Sequence, residues 1–280
     1  MIEYHKYPYT EKEILQRIEQ YKTSDLQTMN EQEAYRFILS VIDLTTLEGS
    51  DNAKKIEDLC STAIHFKDKD KNIPNTAAVC VYPPFVKQAK TLLKNTDISV
   101  ASVAGGFPAG QTPIEIKLAE VKFAVEAGAD EIDMVISRGK FLEGNYQEVF
   151  DEIATIKKIC GTARLKVILE TGELQTADNI YAASWIAMTA GADFIKTSTG
   201  KIPVNATPES FIVMLDAIKN YHRETGKIVG MKPAGGISDP DTALLYVKIL
   251  ENVLGINWMN NQYFRIGASR LAKKIAEKIK

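Results

Sequence analysis

Two patterns of hydrophobic and polar residues alternate along the chain. Short continuous apolar runs, typical of strands buried on both faces, are separated by longer stretches in which apolar residues recur every three or four positions, typical of amphipathic helices. The runs predict eight strands, at 41–44, 77–82, 98–103, 131–136, 164–169, 192–196, 228–231 and 263–266.

Helices are predicted in the intervals between these strands, including 52–66, 146–160 and 177–190. Three starts carry a hydroxyl or carboxylate residue followed by proline: Thr112-Pro113, Thr207-Pro208 and Asp239-Pro240. This order places a capping side chain before a proline at the first helical position. Glu115, three residues after Thr112, would complete a capping box there.

Residues 1–40 are predicted to form an amphipathic helical layer, with Ile14, Leu15 and Ile18 on one face and Tyr35, Ile38 and Leu39 later. The strands and helices that follow have no linker long enough to separate two domains. We therefore expect one α/β domain over 1–280, a parallel (β/α)₈ TIM barrel with an N-terminal helical extension. The alternative, an open doubly wound sheet, is disfavoured because the first strand–helix turn lacks a Gly-x-Gly-x-x-Gly phosphate loop.

Composition narrows the class of protein. The chain has 34 basic and 36 acidic residues, and this net charge of −2 gives no reason to expect a nucleic-acid partner. No apolar run approaches the roughly 18 residues that a membrane span needs, and the polar start is unlike a signal peptide. Three cysteines without a Cys-x-x-Cys pair suggest reduced thiols in a cytoplasmic protein. The three scattered histidines, His5, His65 and His222, make a zinc site hard to build, so we expect no metal.

The candidate chemistry lies where the strands end, because all strands of such a barrel point their carboxyl ends at one face. The residues found there are Asp43, Cys80, Asp133, Lys196 and Lys232. Lys196 follows a buried apolar run, where loss of hydration lowers the pKa of an amine and makes it a nucleophile toward carbonyls. Cys80 has no histidine to activate it, which argues against a nucleophilic thiol.

Lys232 offers a second way to keep Lys196 neutral. Two ammonium groups about 5 Å apart at an effective dielectric constant near 20 repel by roughly 3 kcal/mol, which corresponds to about two pKa units. The competing interpretation makes Lys232 half of a structural ion pair with a carboxylate.

Glycine-rich turns after the last strands indicate an anion site, because glycines let backbone N–H groups approach a phosphate. These turns and their neighbours supply Thr199, Gly200, Lys201, Gly235, Gly236, Gly267, Ser269 and Arg270. A single pair of glycines is a weak signal, but three such turns beside two lysines favour a bound phosphate group.

Eight segments resemble the 2-deoxyribose-5-phosphate aldolase family, in register from Val41 to Ser269. They are IDLTTL (42–47), VCVYP (79–83), EIDMVI (131–136), LKVILETGEL (165–174), GADFIKTSTGK (191–201), VNATPES (204–210), MKPAGGI (231–237) and FRIGAS (264–269). The resemblance implies a class I aldolase on a (β/α)₈ barrel, without metal or cofactor. Its reaction is the reversible cleavage of 2-deoxyribose 5-phosphate to acetaldehyde and glyceraldehyde 3-phosphate.

Carried over residue by residue, the resemblance places the Schiff base on Lys196 and makes Lys232 the amine that lowers its pKa. Asp133 becomes the general acid/base, which acts through water. The glycine-rich turns listed above, with Lys201 and Ser269, would hold the phosphate, while Asp43 and Cys80 would line the pocket.

Two departures from the family pattern affect this assignment. Arg270 stands where the family commonly has a small hydroxylated residue, so it either contacts the phosphate or points to solvent. The chain ends in KKIAEKIK, without the tail tyrosine of some members.

Alternatives from other classes remain open at this point. One is a metal-dependent aldolase or a sugar-phosphate epimerase on the same barrel, another is a metal-independent sugar-phosphate lyase, and a third is a non-catalytic barrel that binds a phosphosugar. The expected partner in each case is a small phosphosugar, and self-association into a homodimer is also open.

Overall fold

A computed structural model describes residues 6–69 and 73–280, and in it eight parallel strands form one sheet. The strands are β1 Ile42–Thr45, β2 Ala78–Val81, β3 Ser99–Ala104, β4 Glu131–Val135, β5 Arg164–Ile168, β6 Phe194–Lys196, β7 Gly230–Lys232 and β8 Ile266–Ala268. Their order in the sheet is β7-β6-β5-β4-β3-β2-β1-β8. Two isolated parallel bridges, Met231 to Phe264 and Ala234 to Gly267, join the two ends. The predicted (β/α)₈ barrel is therefore confirmed, and the open-sheet alternative is wrong.

Helices alternate with the strands and cover the outside of the barrel. They are α1 Glu11–Thr23, α2 Glu31–Ser40, α3 Ala53–Lys69, α4 Val86–Leu92, α5 Ile114–Glu126, α6 Arg138–Leu142, α7 Tyr146–Cys160, α8 Thr171–Leu174, α9 Ala177–Thr189, α10 Pro208–Thr225, α11 Pro240–Leu254 and α12 Leu271–Lys278. The short helices α6 and α8 were not predicted, because stretches of four or five residues carry no recognisable periodicity.

The N-terminal helices pack on the outer layer as the apolar pattern predicts. Helix α1 contacts α10 and α11, and α2 contacts α11 and α12. Ile14 and Ile18 are buried, but Leu15 is 46% exposed, so the prediction that Leu15 shares their face is wrong. Residues 1–5 of the predicted helical layer, including His5, lie outside the described residues.

Two of the three predicted caps form. Thr207 and Asp239 each accept a hydrogen bond from the third residue of the helix that follows. The prediction of a cap at Thr112 is wrong, because α5 begins at Ile114 and Pro113, with ψ of 147°, is not helical. The Thr112 side chain instead packs against Gly106, whose N–H donates to Glu120.

The eighth strand is displaced from its predicted range of 263–266. Residues 263–265 pair with β7 through the single bridge at Phe264, and the chain then moves over to pair with β1. One apolar run therefore pairs first with β7 and then with β1, and this closes the barrel beside Lys232.

Candidate active site

Three lysines converge on one carboxylate inside the barrel. The Nζ atoms of Lys196 and Lys232 each lie 2.7 Å from Oδ2 of Asp133, and Nζ of Lys166 lies 3.2 Å from Oδ1. Since both amines touch the same oxygen, they are at most twice 2.7 Å apart. All four residues are buried, so the prediction that Asp133, Lys196 and Lys232 meet at the strand ends is confirmed as geometry.

Strand register explains why these side chains meet. Asp133 of β4 pairs with Lys166 of β5, and Lys196 of β6 pairs with Lys232 of β7. Residues in register on neighbouring parallel strands point to the same face, here the barrel interior. Gly267 of β8 pairs with Asp43 of β1 and leaves room for the Lys232 side chain. A Cβ added at Gly267 would lie 2.8 Å from Ala234 and 3.3 Å from Cε of Lys232.

A second layer of charge lies beneath the first. Its Asp43 was predicted as a site residue, whereas Arg265 and Glu131 were missed from the sequence. Arg265 donates to Asp43 Oδ1 at 2.7 Å and to Glu131 Oε1 at 2.8 Å. Lys232 pairs with Asp43, and Lys166 pairs with Glu131. A signal was present, because Glu131 and Asp133 are two residues apart in one strand and therefore share its inward face.

The network contains four cationic side chains, Lys166, Lys196, Lys232 and Arg265, against three carboxylates, Asp43, Glu131 and Asp133. An uncompensated charge in the interior costs several kcal/mol, because it has lost its hydration. With Lys196 neutral, the charges of this buried network balance.

The pKa shifts agree with that balance. Burial is the largest influence on Lys196 and lowers its pKa; the charge of Lys232 lowers it further, while Asp133 opposes both. Burial alone would lower the pKa of Lys232, but the carboxylates of Asp133 and Asp43 together raise it. Burial would raise the pKa of Asp133, yet the three lysines hold it well below its usual range. Lys196 is therefore the amine closest to neutrality.

Lys232 thus combines the two interpretations that the sequence left open. It is ion-paired to carboxylates, and its charge also acts on Lys196. The predicted direction of that effect on the pKa of Lys196 agrees with the structure, although burial contributes more.

Cys80 lies beside this cluster, with Sγ 4.0 Å from Oδ2 of Asp133. Burial, reinforced by the charge of Asp133, raises the pKa of the thiol to about 11. At neutral pH it is protonated, as expected for a thiol without a nucleophilic role.

A cleft of about 610 Å³ opens above the charged cluster. Its lining includes Lys196 and all eight residues predicted to bind the phosphate: Thr199, Gly200, Lys201, Gly235, Gly236, Gly267, Ser269 and Arg270. The other four predicted site residues, Asp43, Cys80, Asp133 and Lys232, are almost fully buried and do not line it. Lys196 is thus the member of the charged cluster that faces the cleft.

The glycine turns of the cleft have the backbone that only glycine adopts readily. The φ angles of Gly200, Gly235 and Gly236 are 80°, 81° and 79°. Lys201 lies at the rim, with Nζ 2.9 Å from the exposed carboxylate of Glu48. Such an exposed pair is weak, so an anion in the cleft could compete with Glu48 for this lysine.

Glu170 is a further buried residue near the cleft that was not singled out from the sequence. Its φ of 58° lies in the left-handed region, which is uncommon for glutamate. Its carboxylate accepts hydrogen bonds from the backbone N–H of Thr199 at 3.1 Å and from the Thr199 hydroxyl at 2.5 Å. Burial raises the pKa of Glu170.

Two absences can be stated for residues 6–69 and 73–280. No group of three or more histidine, cysteine, aspartate or glutamate side chains is arranged there to hold a metal ion. No helix in the same residues is long and apolar enough to cross a membrane.

Comparison with known proteins identifies the relatives of the chain. Residues 37–248 match a family described as DeoC/LacD family aldolase. The chain is 48% identical to the deoxyribose-phosphate aldolase of Homo sapiens over 252 residues, which cover 86% of this chain and 79% of the human protein. It is 49% identical to that of Bos taurus, with the same coverage. Among solved structures, a tetrameric deoxyribose phosphate aldolase from Aeropyrum pernix matches with a TM-score of 0.68 and 25% identity, over 96% of this chain and 98% of the other.

Proposed function

Because the chain belongs to the DeoC/LacD family of aldolases, we propose that it cleaves 2-deoxyribose 5-phosphate reversibly to acetaldehyde and glyceraldehyde 3-phosphate through a Schiff base on Lys196. The observation that carries the covalent step is Lys196 itself. It is a buried amine with a lowered pKa, it faces a 610 Å³ cleft, and it lies 2.7 Å from a carboxylate. A neutral amine in this position attacks an aldehyde.

The proposed reaction begins when the Lys196 nitrogen attacks the C1 aldehyde of the open-chain sugar to form a carbinolamine. Loss of water gives the protonated imine, which draws electrons from the C2–C3 bond as the C3 hydroxyl loses its proton. That bond breaks, glyceraldehyde 3-phosphate leaves, and an enamine remains on Lys196. Protonation of the enamine at C2 and hydrolysis of the imine then release acetaldehyde and free Lys196.

Asp133 and Lys232 are proposed to move these protons as a pair. Because the lysines hold the pKa of Asp133 well below its usual range, this side chain is ionised at neutral pH and has no proton to donate, so its proposed role is that of the acceptor. The Lys232 ammonium, bonded to the same oxygen, is the stronger candidate for the donor. The pair thus supplies a base 2.7 Å from the Lys196 nitrogen and an acid bonded to the same carboxylate oxygen, with water as the proposed link to the substrate.

The substrate phosphate is proposed to bind at the other end of the cleft, on the glycine turns, Lys201 and Ser269. Arg270 lines the same cleft and is exposed, so we assign it a phosphate contact as well. Asp43 acts one layer deeper, through its bond to Lys232.

We also propose that residues 1–280 form one functional domain that works in the cytoplasm as a homodimer. The three cysteines are buried and free, in keeping with a reducing compartment. The Aeropyrum pernix relative is described as tetrameric, so the mass of this protein in solution needs its own measurement by light scattering.

The test of the reaction is release of acetaldehyde from 2-deoxyribose 5-phosphate, measured with and without EDTA. The wild-type protein is expected to release acetaldehyde equally in both, while Lys196→Ala loses several orders of magnitude of activity because no imine can form. Loss of activity in EDTA would favour a metal-dependent enzyme. Binding of the phosphosugar without any acetaldehyde would favour a non-catalytic barrel.

A further inference from the structure

Glu170 is held in a conformation that local sequence does not favour. It follows β5, is fully buried, and has φ of 58° and ψ of 62°. A left-handed backbone at a residue other than glycine is strained and persists only where the surroundings enforce it. Burying a carboxylate adds a further cost unless donors surround it. The strained backbone and the buried carboxylate thus occur at the same residue, next to the turn that carries Lys201.

The donors around Glu170 come from the turn after β6 and from the start of helix α6. Thr199 provides its backbone N–H to Oε1 and its hydroxyl to Oε2, while Arg138 provides Nη1 to Oε2 at 3.2 Å. Arg138 also donates to the carbonyl oxygens of Pro108 and Ala109, both at 3.1 Å. Glu170 thus joins the segments that follow β3, β4, β5 and β6.

The bonds to Thr199 reach the proposed phosphate site through the backbone. The Thr199 hydroxyl, which donates to Glu170, accepts a hydrogen bond from the N–H of Lys201 at 3.1 Å. Between them, Gly200 takes a φ of 80°. The two bonds from Thr199 to the Glu170 carboxylate therefore fix the first residue of the turn 199–201, and Lys201 is its last residue.

We propose that Glu170, which does not line the cleft, is a positioning residue for the phosphate group of the substrate. It holds the 199–201 turn in the shape that presents Gly200 and Lys201 to a phosphate monoester. This inference rests on the proposed function, and it assigns the recognition of the phosphate partly to a carboxylate that never touches it. A carboxylate near a phosphate would otherwise repel it, and the donors from Thr199 and Arg138 screen that charge.

The test compares two substrates that differ only in the phosphate, 2-deoxyribose 5-phosphate and 2-deoxyribose. In Glu170→Gln, one carboxylate oxygen becomes an NH₂ group, which cannot accept a hydrogen bond from Thr199. The KM for the phosphorylated sugar is expected to rise about tenfold with little change in kcat, as for loss of one hydrogen bond to a charged group. The kcat/KM for 2-deoxyribose should remain within about twofold, because the Schiff-base cluster is untouched.

Glu173→Gln is the matched control. Glu173 also bonds Arg138, at 2.7 Å from Nε, but its side chain is 42% exposed and lies outside the bonds to Thr199. In this variant, the kcat/KM for 2-deoxyribose 5-phosphate divided by the kcat/KM for 2-deoxyribose should equal the wild-type ratio. Thr199→Val, which removes the hydroxyl from the other side of the same bond, should lower the ratio in the same direction as Glu170→Gln.

An unchanged ratio in Glu170→Gln, or an equal fall for both sugars, would overturn the proposal and leave Glu170 a purely structural role. If Glu170→Gln fails to fold, an unchanged ratio in Thr199→Val overturns it instead. Failure of the proposed function is distinct, since the wild-type protein would then release no acetaldehyde from the phosphorylated sugar.

Discussion

The chemistry of the site depends on which of four buried cations gives up its proton. Asp133 contacts Lys166, Lys196 and Lys232, so proximity to a carboxylate does not distinguish them. What distinguishes Lys196 is the number of carboxylates: within residues 6–69 and 73–280, Lys166 and Lys232 each bond a second carboxylate and Lys196 does not. The arrangement therefore keeps two ammonium groups charged and leaves the third amine as the one whose pKa is lowered.

Lys232→Met tests the electrostatic part of this account. The substitution keeps most of the volume and removes a positive charge that lowers the pKa of Lys196. The pKa of Lys196 should rise, so the acidic limb of the kcat/KM profile moves to higher pH. A pH–rate profile beside wild type measures this shift. A low rate with an unmoved acidic limb would assign Lys232 to proton donation alone.

Asp133→Asn should move the same limb in the opposite direction. Asp133 raises the pKa of Lys196, so its neutralisation lets that pKa fall, while kcat drops by about 10²–10⁴-fold through loss of the proton acceptor. Phosphosugar binding, measured by calorimetry, should persist. A kcat close to that of the wild type would reduce Asp133 to a structural role.

The sequence showed which strand ends carry chemistry, because Asp133, Lys196 and Lys232 stand at or near the ends of apolar runs. It did not show Lys166, Glu131 or Arg265 as parts of the site. A charged residue inside a run resembles an exposed position on a half-buried strand, and only the closed barrel makes it internal. Glu170 was missed for another reason. Its role depends on a left-handed backbone conformation, which the residue type glutamate does not predict.

At the scale of elements, the N-terminal helices are attached to the barrel by polar as well as apolar contacts. Arg17 of α1 makes two hydrogen bonds to the buried carboxylate of Asp216 on α10, at 2.6 and 2.8 Å. The Tyr7 hydroxyl donates to the same carboxylate at 2.6 Å. Amphipathic spacing predicted the helices, whereas the partner of Arg17 lies 199 residues away and could not be inferred from it.

Arg17→Met should therefore destabilise the fold by about 2–3 kcal/mol, because it leaves Asp216 buried without its cation. The figure is below the roughly 3–5 kcal/mol of a fully buried pair because 21% of the Arg17 side chain is exposed. Urea unfolding measures the change. Lys22→Met in the same helix is the control: its pair with Glu19 is exposed and should contribute less than about 1 kcal/mol. Equal stability of the two variants would show that apolar packing alone attaches α1.

For the whole molecule, the barrel brings residues more than 200 positions apart to one axis, as Arg265 and Asp43 show. The number and order of strands followed from alternation of apolar runs, because each run is buried on both faces. The register that aligns Lys196 with Lys232 did not follow, since it is set by closure of the sheet around its interior side chains.

The most direct test of the central claim is reduction with borohydride in the presence of acetaldehyde, followed by mass spectrometry of peptides. We expect one ethyl group per chain, on Lys196, and the same label in Glu173→Gln. Lys196→Met should carry none, although Lys166 and Lys232 are both retained there. An ethyl group on Lys166 or Lys232 of the wild type, or no label at all, would contradict the assignment of Lys196 as the Schiff-base lysine.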